Sequence, residues 1–140
     1  ADRNNDPDMM RPLFTEDAVW ESRQYTRVEG REAIIETMAW GGTNIIKWAI
    51  HYMISPVIDI HEDMQSASAE WYLWEPMTAH HTDGTDADTW SGSVYQAEFK
   101  RTDDDSWKIK YLNLELKLLA KVGEAWPGPI DVNQIDGQPV

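Results

Sequence analysis

Up to about residue 48, apolar side chains recur mainly at helical spacing; beyond it they alternate. Asp6 is a candidate N-cap with Pro7 in the first turn of a short helix through Met9, Met10, Leu13 and Phe14, limited by Pro12. Thr15-Glu16-Asp17 leads into a strand over residues 18–23, and a second short strand covers 25–28. Gly30 opens a helix carrying Ile34, Ile35, Met38 and Ala39, which Gly41-Gly42 is expected to end. Thr43 then caps a further helical turn with Ile45, Ile46 and Trp48. Period 2 takes over at residues 50–60 and continues over 67–79, 90–101 and 107–119, with polar hairpin loops between. Helices first and an antiparallel meander afterwards predict an α+β fold, with N-terminal helices packed into one face of a curved, cone-shaped sheet.

The stretch Ile50 to Ile60 is the most strand-like of these. Strict alternation puts His51, Met53, Ser55 and Val57 on one face and Tyr52, Ile54, Ile58 and Ile60 on the other, so both faces are expected to be covered. An imidazole there loses water, and its charge then depends on the group that meets it. His51 is therefore the leading candidate for chemistry, with Asp2 and Asp6 as carboxylates that could fix its tautomer and leave one nitrogen as a base. Trp20, Trp48, Trp71, Trp74 and Trp90 are expected around the same cavity.

Other candidates read as less informative. His80-His81 and His61 fall in polar loops, and adjacent histidines on an extended chain point apart, so no metal site is expected. Glu70 and Glu75 have opposite parity; Glu75 is expected at the rim, with Pro76 marking an edge or bulge. Lys108, Lys110, Leu112, Leu114, Leu116 and Leu118 share one face of the last strand on strict alternation. Lys110 there could steady an anion, although a surface lysine is the simpler account.

Composition narrows the classes. The 140 residues suit one domain, with the folded portion expected over 1–121 and an irregular tail over 122–140 anchored by Trp126. Eight Trp, five Tyr and six Met supply a ring-rich interior. Net charge of −13 repels phosphate backbones and anionic lipid, which argues against nucleic acid and membrane partners. No apolar run approaches the ~20 residues of a membrane helix. The lack of cysteine excludes thiolate chemistry and suits a cytoplasmic location. The abrupt start at Ala1 reads as though an earlier helix has been left out. No Ser-His-Asp ordering, Gly-rich phosphate loop or HExxH is present.

Leu13 to Trp20, Val28 to Ile34, His51-Tyr52-Met53, Ala69 to Thr78, Tyr95 to Asp103 and Ser106 to Lys110 together resemble the NTF2-like superfamily, in particular its SnoaL-like subgroup. Within it the pattern is most similar to the branch of bile-acid 7α-dehydratase, scytalone dehydratase and hexachlorocyclohexane dehydrochlorinase. That resemblance implies a cystatin-like α+β barrel, a homodimer or homotrimer, and a hydrophobic small-molecule pocket worked without cofactor or metal. It also implies a lyase or dehydratase acting on a cyclic substrate through a His-Asp dyad. By the same resemblance His51 and Asp2 are the catalytic pair, and Trp20, Met53, Trp71 and Leu112 shape the pocket. Two other readings stay open: a non-catalytic binding or assembly subunit, like the β subunit of ring-hydroxylating dioxygenases, and an isomerase or epoxide hydrolase with a carboxylate base such as Glu75.

Overall fold

Asp6 does cap the first helix. In the computed structural model, which describes residues 6–126, its side chain accepts from the backbone N–H of Asp8 at 2.9 Å. Helix α1 (Pro7–Met10) passes at once into a 3-10 turn, Arg11–Leu13, as Pro12 requires. Strand β1 (Phe14–Glu21) begins four residues earlier than expected, and β2 (Arg27–Glu29) returns beside it. Gly30 then turns the chain with φ at 90°, a left-handed value that favours glycine, and opens α2 (Arg31–Asn44).

The helix runs through Gly41-Gly42 rather than ending there. Ile45 N–H reaches Gly41 O at 2.9 Å, while Thr43 Oγ1 and Asn44 Nδ2 donate back to the carbonyls of Ala39 and Trp40, each at 2.8 Å. These side chains hold the last turn in spite of the two glycines. The further helical turn expected at 45–48 is instead a strand, β3 (Ile46–Ala49), because pairing with the next long strand outweighs local propensity.

Four more strands complete a mixed seven-stranded sheet: β4 (Tyr52–Ile60), β5 (Ser66–His80), β6 (Asp86–Arg101) and β7 (Trp107–Lys121). Their order is β2-β1-β7-β6-β5-β3, with β4 also pairing β5; only β1 and β7 run parallel. The fold is α+β, with Ile34 of α2 buried against Phe14, Ala18, Trp20, Ala97 and Leu112 on the inner face of an open, curved sheet. A second apolar cluster, Met77, Ala79, Leu116 and Leu119, continues that face toward the far end.

Two bulges change which residues look inward. On β4, Ser55 takes a positive φ and the register with β5 slips between Ile54 and Val57. Val57 therefore joins Ile54 on the outer face, and Ile58 and Ile60 turn inward, contrary to strict alternation. On β7 the register slips between Tyr111 and Ile109 and again between Leu118 and Leu116. Lys110 leaves the expected leucine face and pairs with Asp17 at the surface, and Leu119 replaces Leu118 inside. β4 is also not a covered strand: every one of its residues is exposed, since it lies at the edge and no described element packs over it.

Candidate functional site

The edge beside β5 is built in two pieces, and the join makes the site. β3 pairs with β5 up to Ala49↔Met77, and β4 resumes at Tyr52↔Trp74. Pro76 lies opposite the gap; it has no N–H to give, and its carbonyl accepts from Ile50. Between the two paired stretches, His51 turns toward its cross-strand neighbour. Its Nε2 lies 2.7 Å from Glu75 Oε1, and Glu75 is only 6% exposed. Glu75 is thus an interior carboxylate, not the rim residue expected, because odd-numbered residues of β5 (Trp71, Leu73, Glu75, Met77, Ala79) face inward. Glu70, of opposite parity, binds Gln96 on the outer face.

The pair opens onto a cavity of about 430 Å³ inside the sheet. Trp20, Met53, Trp71 and Leu112 all line it, together with His51. Trp71 stacks on Tyr95 with centroids 5.3 Å apart, and its indole N–H points at Met53 Sδ, 3.1 Å away. Tyr25 hangs into the cavity from the β1–β2 turn. Burial first, and the nearby Glu75 charge second, push its phenol far above the ordinary value, so it stays protonated. Ser91 stands directly across from Glu75, and Ser93, two residues on, is 97% buried with no hydrogen-bond partner for its hydroxyl among the described residues. A large apolar cavity with a few convergent polar groups suits a small hydrophobic molecule and proton transfer within it.

Two sequence expectations are corrected here. Trp48, Trp74 and Trp90 do not line the cavity: Trp74 and Trp90 stack at 5.4 Å on the opposite face, where Trp126 lies 6.3 Å from Trp74, and Trp48 is exposed. His81 is not a solvated loop residue. It is 7% exposed, lines the cavity, and bonds Thr89 Oγ1 through Nε2 at 2.8 Å, because β5 runs as far as His80 and carries the next residue inward. Desolvation, and then the charge of Lys121, lower its proton affinity below that of an ordinary histidine. Lys110, as the simpler account has it, is a surface lysine, in an ion pair with Asp17. His61, likewise, is a loop residue as expected, bonded to Ser66. Asp2 lies outside the described residues. Among those residues no group of three or more His, Asp or Glu is arranged to hold a metal ion, and no helix is long and apolar enough to cross a membrane.

The SnoaL-like domain family matches residues 1–113. The chain belongs to that family. No curated protein matches its sequence. Among solved structures, hexachlorocyclohexane dehydrochlorinase LinA-type3 from Novosphingobium barchaimii is similar with a TM-score of 0.72 at 15% identity, covering 92% of this chain and 85% of its own. A candidate scytalone dehydratase from Novosphingobium aromaticivorans is similar at TM-score 0.69 and 20% identity over 90% of this chain and 80% of that one. A cystatin-like protein from Caulobacter vibrioides gives 0.71 at 16% identity, covering 83% and 79%. At such identities the likeness is one of fold, which is NTF2-like.

Proposed function

We propose that this SnoaL-like domain is a lyase, a dehydratase in its simplest form, acting without a cofactor on a cyclic hydrophobic molecule. The observation that carries the reading is the 2.7 Å contact between His51 and the buried Glu75 at a cavity walled by aromatic and aliphatic side chains. A substrate entering beside the pair replaces the hydrogen bond at His51 Nε2, and the imidazole takes a proton from carbon. Glu75, close by and poorly hydrated, stabilises the imidazolium. The imidazolium then returns its proton to the departing hydroxyl, so that C–H and C–O bonds break, a C=C bond forms and water leaves. Asp2 is retained in the proposal as an orienting group for His51, as the family resemblance implies. Trp20, Met53, Trp71 and Leu112 shape the pocket for an apolar ring system.

The test is turnover of a panel of cyclic alcohols and halides by His51→Ala. Loss of turnover with folding and ligand uptake intact is expected; unchanged turnover would sink the mechanism. The buried Glu75 also favours a second reading, an isomerase or epoxide hydrolase in which Glu75 is itself the base. In that case Glu75→Gln abolishes turnover and His51→Ala only slows it. A purely structural subunit is less well supported, because an open cone with a carboxylate on His51 has no use there.

We further infer that the chain works as a homodimer or homotrimer. Tyr52, Ile54, Val57 and Tyr72 leave an apolar, solvent-exposed strip on the outer face of the sheet, which a second copy would cover. Sedimentation equilibrium checks this: a monomer at all concentrations is the opposing result.

A further inference from the structure

Elimination at His51 makes no use of the other buried imidazole. His81 stands beyond the end of β5, six residues from Glu75, which places it at most about 20 Å along the strand from the proton-transfer pair. Its hydrogen bonds fix the ring's protonation. The single hydroxyl proton of Thr89 goes to Ala87 O at 3.0 Å, so Thr89 Oγ1 accepts from His81 Nε2–H at 2.8 Å. The proton of the neutral ring is therefore on Nε2, and Nδ1 is left with a lone pair. Thr89, only 1% exposed, is itself locked in the wall, so the ring is held from behind. Met77, Ala79 and Leu119 line the same cavity, and Lys121, Asp83, Glu124 and His80 are the charged or titratable groups that act on the ring. Burial keeps the ring neutral, as a hydrogen-bond acceptor needs to be.

We propose that His81 Nδ1 is a second polar subsite, taking a hydroxyl or N–H donor at the end of the ligand remote from His51 and Glu75. The ligand is then an elongated apolar ring compound with a polar group toward each end, which a cavity of about 430 Å³ accommodates. This rests on the cavity accepting an apolar ligand, as the proposed function requires, but not on the elimination step.

The probe is 2-naphthol, with 2-methoxynaphthalene as a control of similar shape that has no donor. Binding is followed by fluorescence and by the ¹⁵N resonances of His81 in the full chain. In the free protein Nδ1 gives an unprotonated and Nε2 a protonated signal; 2-naphthol moves the Nδ1 signal and 2-methoxynaphthalene does not. His81→Phe weakens 2-naphthol by roughly fivefold, the size of one hydrogen bond, and leaves 2-methoxynaphthalene unchanged. Thr89→Val, which keeps the ring but frees its tautomer, weakens 2-naphthol by a smaller factor. An Nδ1 signal that does not move, or 2-naphthol affinity lost only in Glu75→Gln, overturns the subsite while leaving the proposed function standing. Failure of both compounds to bind overturns both.

Discussion

His51 and His81 face the same cavity and are held in opposite ways. One imidazole meets a carboxylate, the other a hydroxyl whose only proton is already spoken for. A carboxylate beside a ring favours the imidazolium, so His51 can gain and release a proton; a hydroxyl acceptor in a dry wall favours the neutral ring, so His81 can only offer a lone pair. The same side chain is thus made into an acid–base group or a recognition group by its one neighbour.

The largest way to break that contrast is to remove the reactive ring. His51→Ala is expected to lower turnover by about 10²–10⁴, the usual worth of a general base, with the far-ultraviolet circular dichroism unchanged. Next comes its neighbour. Glu75→Gln keeps the shape but not the charge, and should cut turnover by about 10–100-fold and shift the acidic limb of the kcat/KM pH profile, since the imidazolium loses its counter-charge. On the other side of the contrast, Thr89→Val leaves a buried imidazole N–H without its acceptor; denaturant unfolding should show a loss of about 1–3 kcal/mol.

The smallest effect is in the pH dependence of stability. His81 holds a proton less readily when folded than its ordinary value of 6.5, so the unfolded chain binds the proton first. Its contribution is complete above pH 6.5 and declines as pH falls below it, at no more than about 1.4 kcal/mol per pH unit. Lys121 and His80 add to the effect, while Asp83 and Glu124 oppose it. His81→Gln should flatten the slope just below pH 6.5; an identical slope in the variant would remove His81 as its source.

The Asp6 cap, Gly30, the switch from helical to alternating spacing and the three long strands could all be read along the chain, because each rests on contacts between near neighbours. Trp20, Met53, Trp71 and Leu112 line the cavity, and their part in holding a substrate belongs to the proposal. What could not be read came from pairing between distant residues. Residues 46–49 are a strand only because β5 offers an edge, and His51 meets Glu75 only where the pairing along β5 is interrupted opposite Pro76. His81 looked like a loop residue since it stands beside Asp83 and Gly84, yet the inward parity of Met77 and Ala79 carries on to it. A count of two-residue steps from Trp71 would have found both Glu75 and His81.

The bulges on β4 and β7 make each strand behave like a message with a two-letter frame, in which one extra letter exchanges every inside for an outside. Removing Asn113, an outward residue between Leu112 and Leu114, would therefore deface the inner wall more than replacing any one leucine in it. On one side of the missing residue the leucines would either move to the surface or drag the β6 pairing with them. Length along these paired stretches is as much a part of the pocket's composition as the side chains that line it.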